Sequence, residues 1–203
     1  MGLLYFMNNF IPKFLPTLTV SSITEANIIC KILNATDINF IEITLRSSVS
    51  YEAIEIIAQN KDINLGLGTV ININQLKKID HIKPKFIVSP GFSEKIASYT
   101  VKRGIDYIPG VESATEIMKA YDHGYKLLKF FPSELSGGIK KLQSLHEIFP
   151  EIKFLCTGGI NLSNYVDYTK IKNVGSLGGS FVLPKNLVDE QKIEQAINHL
   201  KKL

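Results

Sequence analysis

The chain has little that would mark a secreted, metal-binding or nucleic-acid-binding protein. Its 203 residues hold two cysteines, Cys30 and Cys156. Two thiols so far apart make neither a disulfide framework nor a metal-ligand spacing, so they read as small buried hydrophobes in a reducing cytoplasm. The apolar opening, Met1 to Pro12, is far shorter than the roughly 20 residues of a membrane span. It also lacks the basic start of a signal peptide, and is read as a short N-terminal helix. Charged residues are 21% of the chain with a net charge of +4, and the lysines are spread along it. That excludes a nucleic-acid-binding arm, which concentrates its basic residues. A mildly basic balance suits a small anionic substrate instead. No low-complexity segment or Pro/Gly/Ser linker divides residues 1–203, and 45% hydrophobic content supports a full core, so one domain is expected.

What is present is a regular alternation. Short apolar runs near residues 14–20, 39–45, 64–70, 85–88, 105–108, 127–131, 153–156 and 174–177 are each followed by a segment with helical periodicity. Eight such βα units imply a parallel sheet with right-handed crossovers, and the repeat number favours closure into a (β/α)8 TIM barrel. An open doubly wound sheet is the rival, but the Gly-x-Gly-x-x-Gly fingerprint is missing. Active sites of such barrels lie at the C-terminal ends of the strands.

The unusual residues fall at those ends. Strand side chains alternate between faces, so in Ile41-Glu-Ile-Thr-Leu-Arg46 the apolar set faces the helices, leaving Glu42, Thr44 and Arg46 toward the barrel axis. A Glu42–Arg46 ion pair is the structural reading; a buried acid/base beside an anion-binding arginine is the functional one. By the same parity Lys129 points inward between the outward Leu128 and Phe130, and Pro132 then stops the strand. Such a lysine either reaches water along its stem or serves as an amine nucleophile toward a carbonyl. Its meeting with Glu42 in one cavity favours the nucleophile. Lys126, near the strand start and of opposite parity, is read as a surface residue. Thr157-Gly158-Gly159 and Gly178-Gly179-Ser180 end the seventh and eighth strands. Paired glycines let backbone amides approach an oxyanion, and barrels frequently bind phosphate there.

Seven pieces in chain order extend this reading: Ile41-Glu-Ile-Thr-Leu-Arg46, Gly66-Leu-Gly-Thr-Val70, Ser89-Pro-Gly91, Ile108-Pro-Gly110, Lys129-Phe-Phe-Pro-Ser-Glu134, Thr157-Gly-Gly-Ile160 and Gly178-Gly-Ser180. Together they resemble the 2-keto-3-deoxy-6-phosphogluconate (KDPG) aldolase family, which includes 4-hydroxy-2-oxoglutarate (KHG) aldolases. The resemblance implies a class I aldolase that uses a covalent Schiff base, without metal or cofactor. It makes Lys129 the Schiff-base lysine and Glu42 the acid/base. Arg46, Thr69, Pro90, Phe131 and Thr157 would form the keto-acid pocket, and Gly158, Gly159, Gly179 and Ser180 the phosphate site. It further implies a phosphorylated keto acid as ligand, with no nucleic-acid or membrane partner, and a homotrimer. Thr17 and Thr19 in the first strand depart from the more aliphatic family run, which bears on substrate preference; Thr157 resembles gluconate-type members. Two other readings fit the bare residues, a different phosphate-binding barrel enzyme and a non-catalytic sugar-phosphate sensor.

Overall fold

The structure is a computed structural model, and it describes residues 12–203; the helix expected over Met1 to Pro12 lies outside them apart from Pro12. The strands are β1 (Phe14–Leu18), β2 (Phe40–Thr44), β3 (Asn64–Gly68), β4 (Phe86–Val88), β5 (Asp106–Ile108), β6 (Gly110–Val111), β7 (Leu127–Phe130), β8 (Lys153–Thr157) and β9 (Val174–Gly179). All pairings are parallel, in the order β5-β4-β3-β2-β1-β9-β8-β7-β6. The two edges of this sheet, β5 and β6, are halves of one barrel stave. Pro109 separates them because proline has no N–H for the ladder, although its carbonyl still accepts from Lys129 N at 2.8 Å. The sheet is therefore a nearly closed barrel of eight staves, as the repeat number predicts.

The helices are α1 (Ile23–Asn34), α2 (Tyr51–Gln59), α3 (Ile73–Lys77), α4 (Glu94–Arg103), α5 (Ala114–Asp122), α6 (Gly138–Ile148), α7 (Tyr165–Tyr168) and α8 (Ile193–Leu200). Ser22, Ser50, Asn72, Ser93 and Ser113 cap the N-termini of α1 to α5, each accepting backbone N–H bonds that a helix start leaves open. Three helices are shorter than periodicity predicts, which places them at about 72–80, 162–168 and 189–202. Past Lys77 the chain tightens to three-residue turns (Ile79 N to Leu76 O, Ile82 N to Ile79 O) that still bury Ile79 and Ile82, so the apolar spacing outruns the helix. Before α7, Asn161 N donates to Asn164 Oδ1 and Ser163 N donates to Asn161 Oδ1, which holds 161–164 as a turn. Ahead of α8, the Asp189 carboxylate accepts from Gln191 N and sets a single 3-10 turn.

Two apolar layers result. Ile41, Ile43, Leu128, Phe130, Phe154 and Cys156 belong to the outer core between strands and helices, as the expected parity requires. Inside the barrel a smaller cluster of Leu15, Phe40, Phe86, Val88, Ile108 and Leu155 fills the floor. Along four strands the inward file then changes character: Leu15 gives way to Thr17, Phe40 to Glu42 and Thr44, Leu127 to Lys129, and Leu155 to Thr157. Apolar packing closes the bottom, and polar side chains gather at the top.

The glycines of β3 make room for this arrangement. A Cβ on Gly66 would stand 2.1 Å from the Phe86 ring, and one on Gly68 would stand 1.9 Å from Glu42 Oε1. Gly110 and Gly178 are similarly crowded, by the Pro90 backbone and by Thr157. Glycines that look like weaknesses in the β3 sequence are the spaces into which the inward side chains of neighbouring strands fit.

Candidate active site

At the C-terminal ends of the strands a cavity of about 540 Å³ opens. Every candidate from the sequence lines it: Glu42 and Arg46, Thr69, Pro90, Lys129 and Phe131, Thr157 to Gly159, Gly179 and Ser180. Thr17, Thr19, Thr44 and Lys185 line it as well.

The centre is an ion pair. Lys129 Nζ lies 3.5 Å from Glu42 Oε1, with the two side chains 8% and 0% exposed. Charges so far from water persist only when paired or used. The remaining carboxylate oxygen, Glu42 Oε2, has no hydrogen-bond partner among the described residues, and neither has the buried Thr157 Oγ1. The Phe131 ring stands 5.2 Å from the Lys129 ammonium, within cation–π range. Arg46 lies past the end of β2, exposed at the rim of the cavity that it lines, and the structural Glu42–Arg46 pair does not form among the described residues. The strand ends at Thr44, so strict alternation no longer governs residue 46. Lys126, in contrast, is an exposed partner of Glu151 at 2.6 Å, as expected.

The walls are held from behind. Thr69 adopts φ of 55°, a left-handed conformation costly for a β-branched residue and sustained only where its surroundings enforce it. Gln75 does so: its Nε2 donates to the Thr69 and Leu45 carbonyls at 3.2 and 3.1 Å, while its Oε1 accepts from Ile71 N and Asn72 N. Sequence reasoning passed over Gln75, although Asn72-x-x-Gln75 is a capping-box spacing that could have revealed it. Behind Pro90, Ser89 Oγ meets the Tyr107 hydroxyl at 2.5 Å and also donates to the Gly91 carbonyl. Burial pushes the Tyr107 phenol up to about 12, so it stays protonated in this network.

Opposite, the loop after β7 is laced to the loop after β8. Ser133 N donates to Thr157 O at 2.8 Å and Glu134 N to Gly158 O at 3.1 Å. Gly158 and Gly159 have φ of 92° and 84°, and a Cβ at 159 would meet Glu134 at 2.6 Å. Glycine is thus required twice at 159, for conformation and for space. No hydrogen bond among the described residues uses the amides of Gly159, Ile160 or Ser180. These N–H groups are free for an anion. Among the described residues the cavity lining carries three cations, Arg46, Lys129 and Lys185, against the single carboxylate of Glu42. Such a site suits a multiply anionic ligand. Among the described residues no cluster of His, Cys, Asp and Glu could hold a metal ion, and no helix is long and apolar enough to cross a membrane.

Comparison with known proteins agrees with this geometry. Residues 10–200 match the sequence model of the KDPG and KHG aldolases. A 2-dehydro-3-deoxy-phosphogluconate aldolase of Pseudoalteromonas atlantica is 37% identical over 175 residues, 86% of this chain and 81% of the relative. The KHG/KDPG aldolase of Escherichia coli K12 is 35% identical, covering 86% of this chain and 82% of its own length. The crystal structure of a KDPG aldolase from Legionella pneumophila, with pyruvate captured at low pH as a covalent carbinolamine intermediate, superposes with a TM-score of 0.85. It is 30% identical and the alignment covers 94% of this chain and 93% of that one.

Proposed function

The chain belongs to the KDPG and KHG aldolase family, and from that membership we propose that it is a single-domain class I aldolase cleaving KDPG to pyruvate and glyceraldehyde 3-phosphate. The observation that carries the residue assignment is the buried Lys129–Glu42 pair at 3.5 Å inside the cavity mouth. The amine of Lys129 adds to the C2 ketone, giving a carbinolamine, and loss of water gives an iminium. This step parallels the pyruvate carbinolamine held by the Legionella relative. Glu42 supplies and removes the protons of that dehydration. It then accepts the C4 hydroxyl proton while the C3–C4 bond breaks. The bonding pair passes into the iminium as an enamine, and glyceraldehyde 3-phosphate leaves. Protonation at C3 and hydrolysis release pyruvate and return the free lysine.

Arg46 and Thr69 are assigned to the substrate carboxylate, with Pro90, Phe131 and Thr157 shaping the pocket. The free amides around Gly158 and Gly159, together with Gly179 and Ser180, are assigned to the phosphate. The name of the E. coli relative favours 4-hydroxy-2-oxoglutarate as a second substrate. The reading includes a cytoplasmic homotrimer, for which sedimentation equilibrium gives the mass. Borohydride added with pyruvate should leave a stable adduct on Lys129, found by peptide mass, and a coupled assay should detect pyruvate release from KDPG. No adduct at saturating pyruvate overturns the mechanism.

A further inference from the structure

Lys185 was no candidate in the sequence, yet it borders the same cavity in the loop just beyond Ser180. Its side chain is half exposed, and its Nζ lies 2.5 Å from Glu25 Oε2 and donates to the Thr19 carbonyl at 3.1 Å. Glu25 is itself fixed, since the Ser21 N–H and hydroxyl donate to the same oxygen at 2.8 and 3.0 Å. The loop is anchored too: Phe181, Val182 and Leu183 are buried, the Phe181 carbonyl meets His199 Nε2 at 2.8 Å, and Lys192 Nζ donates to Asn186 O. Lys185 is therefore a charge set in place.

An ammonium has three N–H donors. The two contacts of Lys185 leave one for a ligand in the cavity, and Glu25, which is not part of the lining, holds the lysine from outside. Of the three lining cations Lys129 is committed to Glu42, so Arg46 and Lys185 remain for a substrate with an anion at each end. Arg46 follows β2, whereas Lys185 follows β9, the strand that ends in the glycines beside Ser180.

We propose that Lys185 is a specificity-determining residue that binds the phosphate end of the substrate and favours the phosphorylated keto acid over its unphosphorylated counterpart. This rests on the aldolase reading above, and the test separates the two. Inorganic phosphate, titrated calorimetrically into the full chain, should bind Lys185→Met roughly 10- to 100-fold more weakly than wild type, the size of one charge-assisted hydrogen bond. That measurement needs no turnover, so it stands even if the borohydride adduct fails to form. In kinetics, the ratio of kcat/KM for KDPG to that for 2-keto-3-deoxygluconate should fall by a similar factor, through KM rather than kcat. Lys185→Arg, which keeps the charge, should recover most of both losses. Equal phosphate affinity in wild type and Lys185→Met overturns the proposal, as does an equal loss for both substrates.

Discussion

Gly68→Ala isolates the positioning of Glu42 without touching any charge. The backbone at Gly68 is not in the left-handed region, so alanine fits it, and the only conflict is spatial. The added Cβ would lie 1.9 Å from Glu42 Oε1 and 2.6 Å from Cγ and Cδ. Carbon–oxygen contacts under 3.0 Å are essentially never seen, so Oε1 must retreat by about 1 Å or β3 must move. Oε1 is also the oxygen that faces Lys129. A 1 Å misplacement of a reacting group costs on the order of 10²-fold in rate, and overpacking costs about 1–3 kcal/mol in stability. Gly68→Ala should therefore lose about 10²-fold in kcat for pyruvate release, with a modest fall in Tm. Gly66→Ala is the control. Its Cβ would strike the Phe86 ring, in the apolar floor, at 2.1 Å. Its Tm should fall comparably while kcat falls much less. Equal kcat losses in the two variants, or full activity in Gly68→Ala, would refute the claim that β3 is glycine-rich to admit Glu42.

Lys129→Met should abolish both turnover and the borohydride adduct. It should also destabilise the fold by about 3–5 kcal/mol, because it strands a carboxylate with no exposure. Adding Glu42→Gln should restore much of that stability and none of the activity, as read by chemical denaturation; a double variant no more stable than Lys129→Met would deny the pair its role. At the rim, burial raises the Glu25 pKa, but the Lys185 and Ser21 hydrogen bonds outweigh it and hold the carboxyl below its ordinary 4.5. The stability from this pair is thus fully present above pH 4.5 and lost as pH falls through the lower folded-state value. Wild type should exceed Lys185→Met in stability at pH 7, with the gap closing below pH 4.5; a gap independent of pH would remove Glu25 as the partner.

The barrel and its inward-facing residues follow from local patterns along the chain. Eight βα units, strand parity and the proline stops specify which faces meet, because side-chain alternation is a local property of an extended chain. Glu42, Lys129, Thr157 and the glycine loops were legible for that reason. Alternation fails where strands end, so the position of Arg46 at the rim was decided by tertiary structure. Long-range packing also decided that α3 closes early in three-residue turns, and that Gly66 and Gly68 serve as room for Phe86 and Glu42. Lys185 carries no local mark of the cavity, and Gln75 only the capping-box spacing of a helix start. Their roles depend on Glu25, Thr19, Leu45 and Thr69, brought to them by barrel closure and loop packing, and no periodicity along the chain encodes those distances.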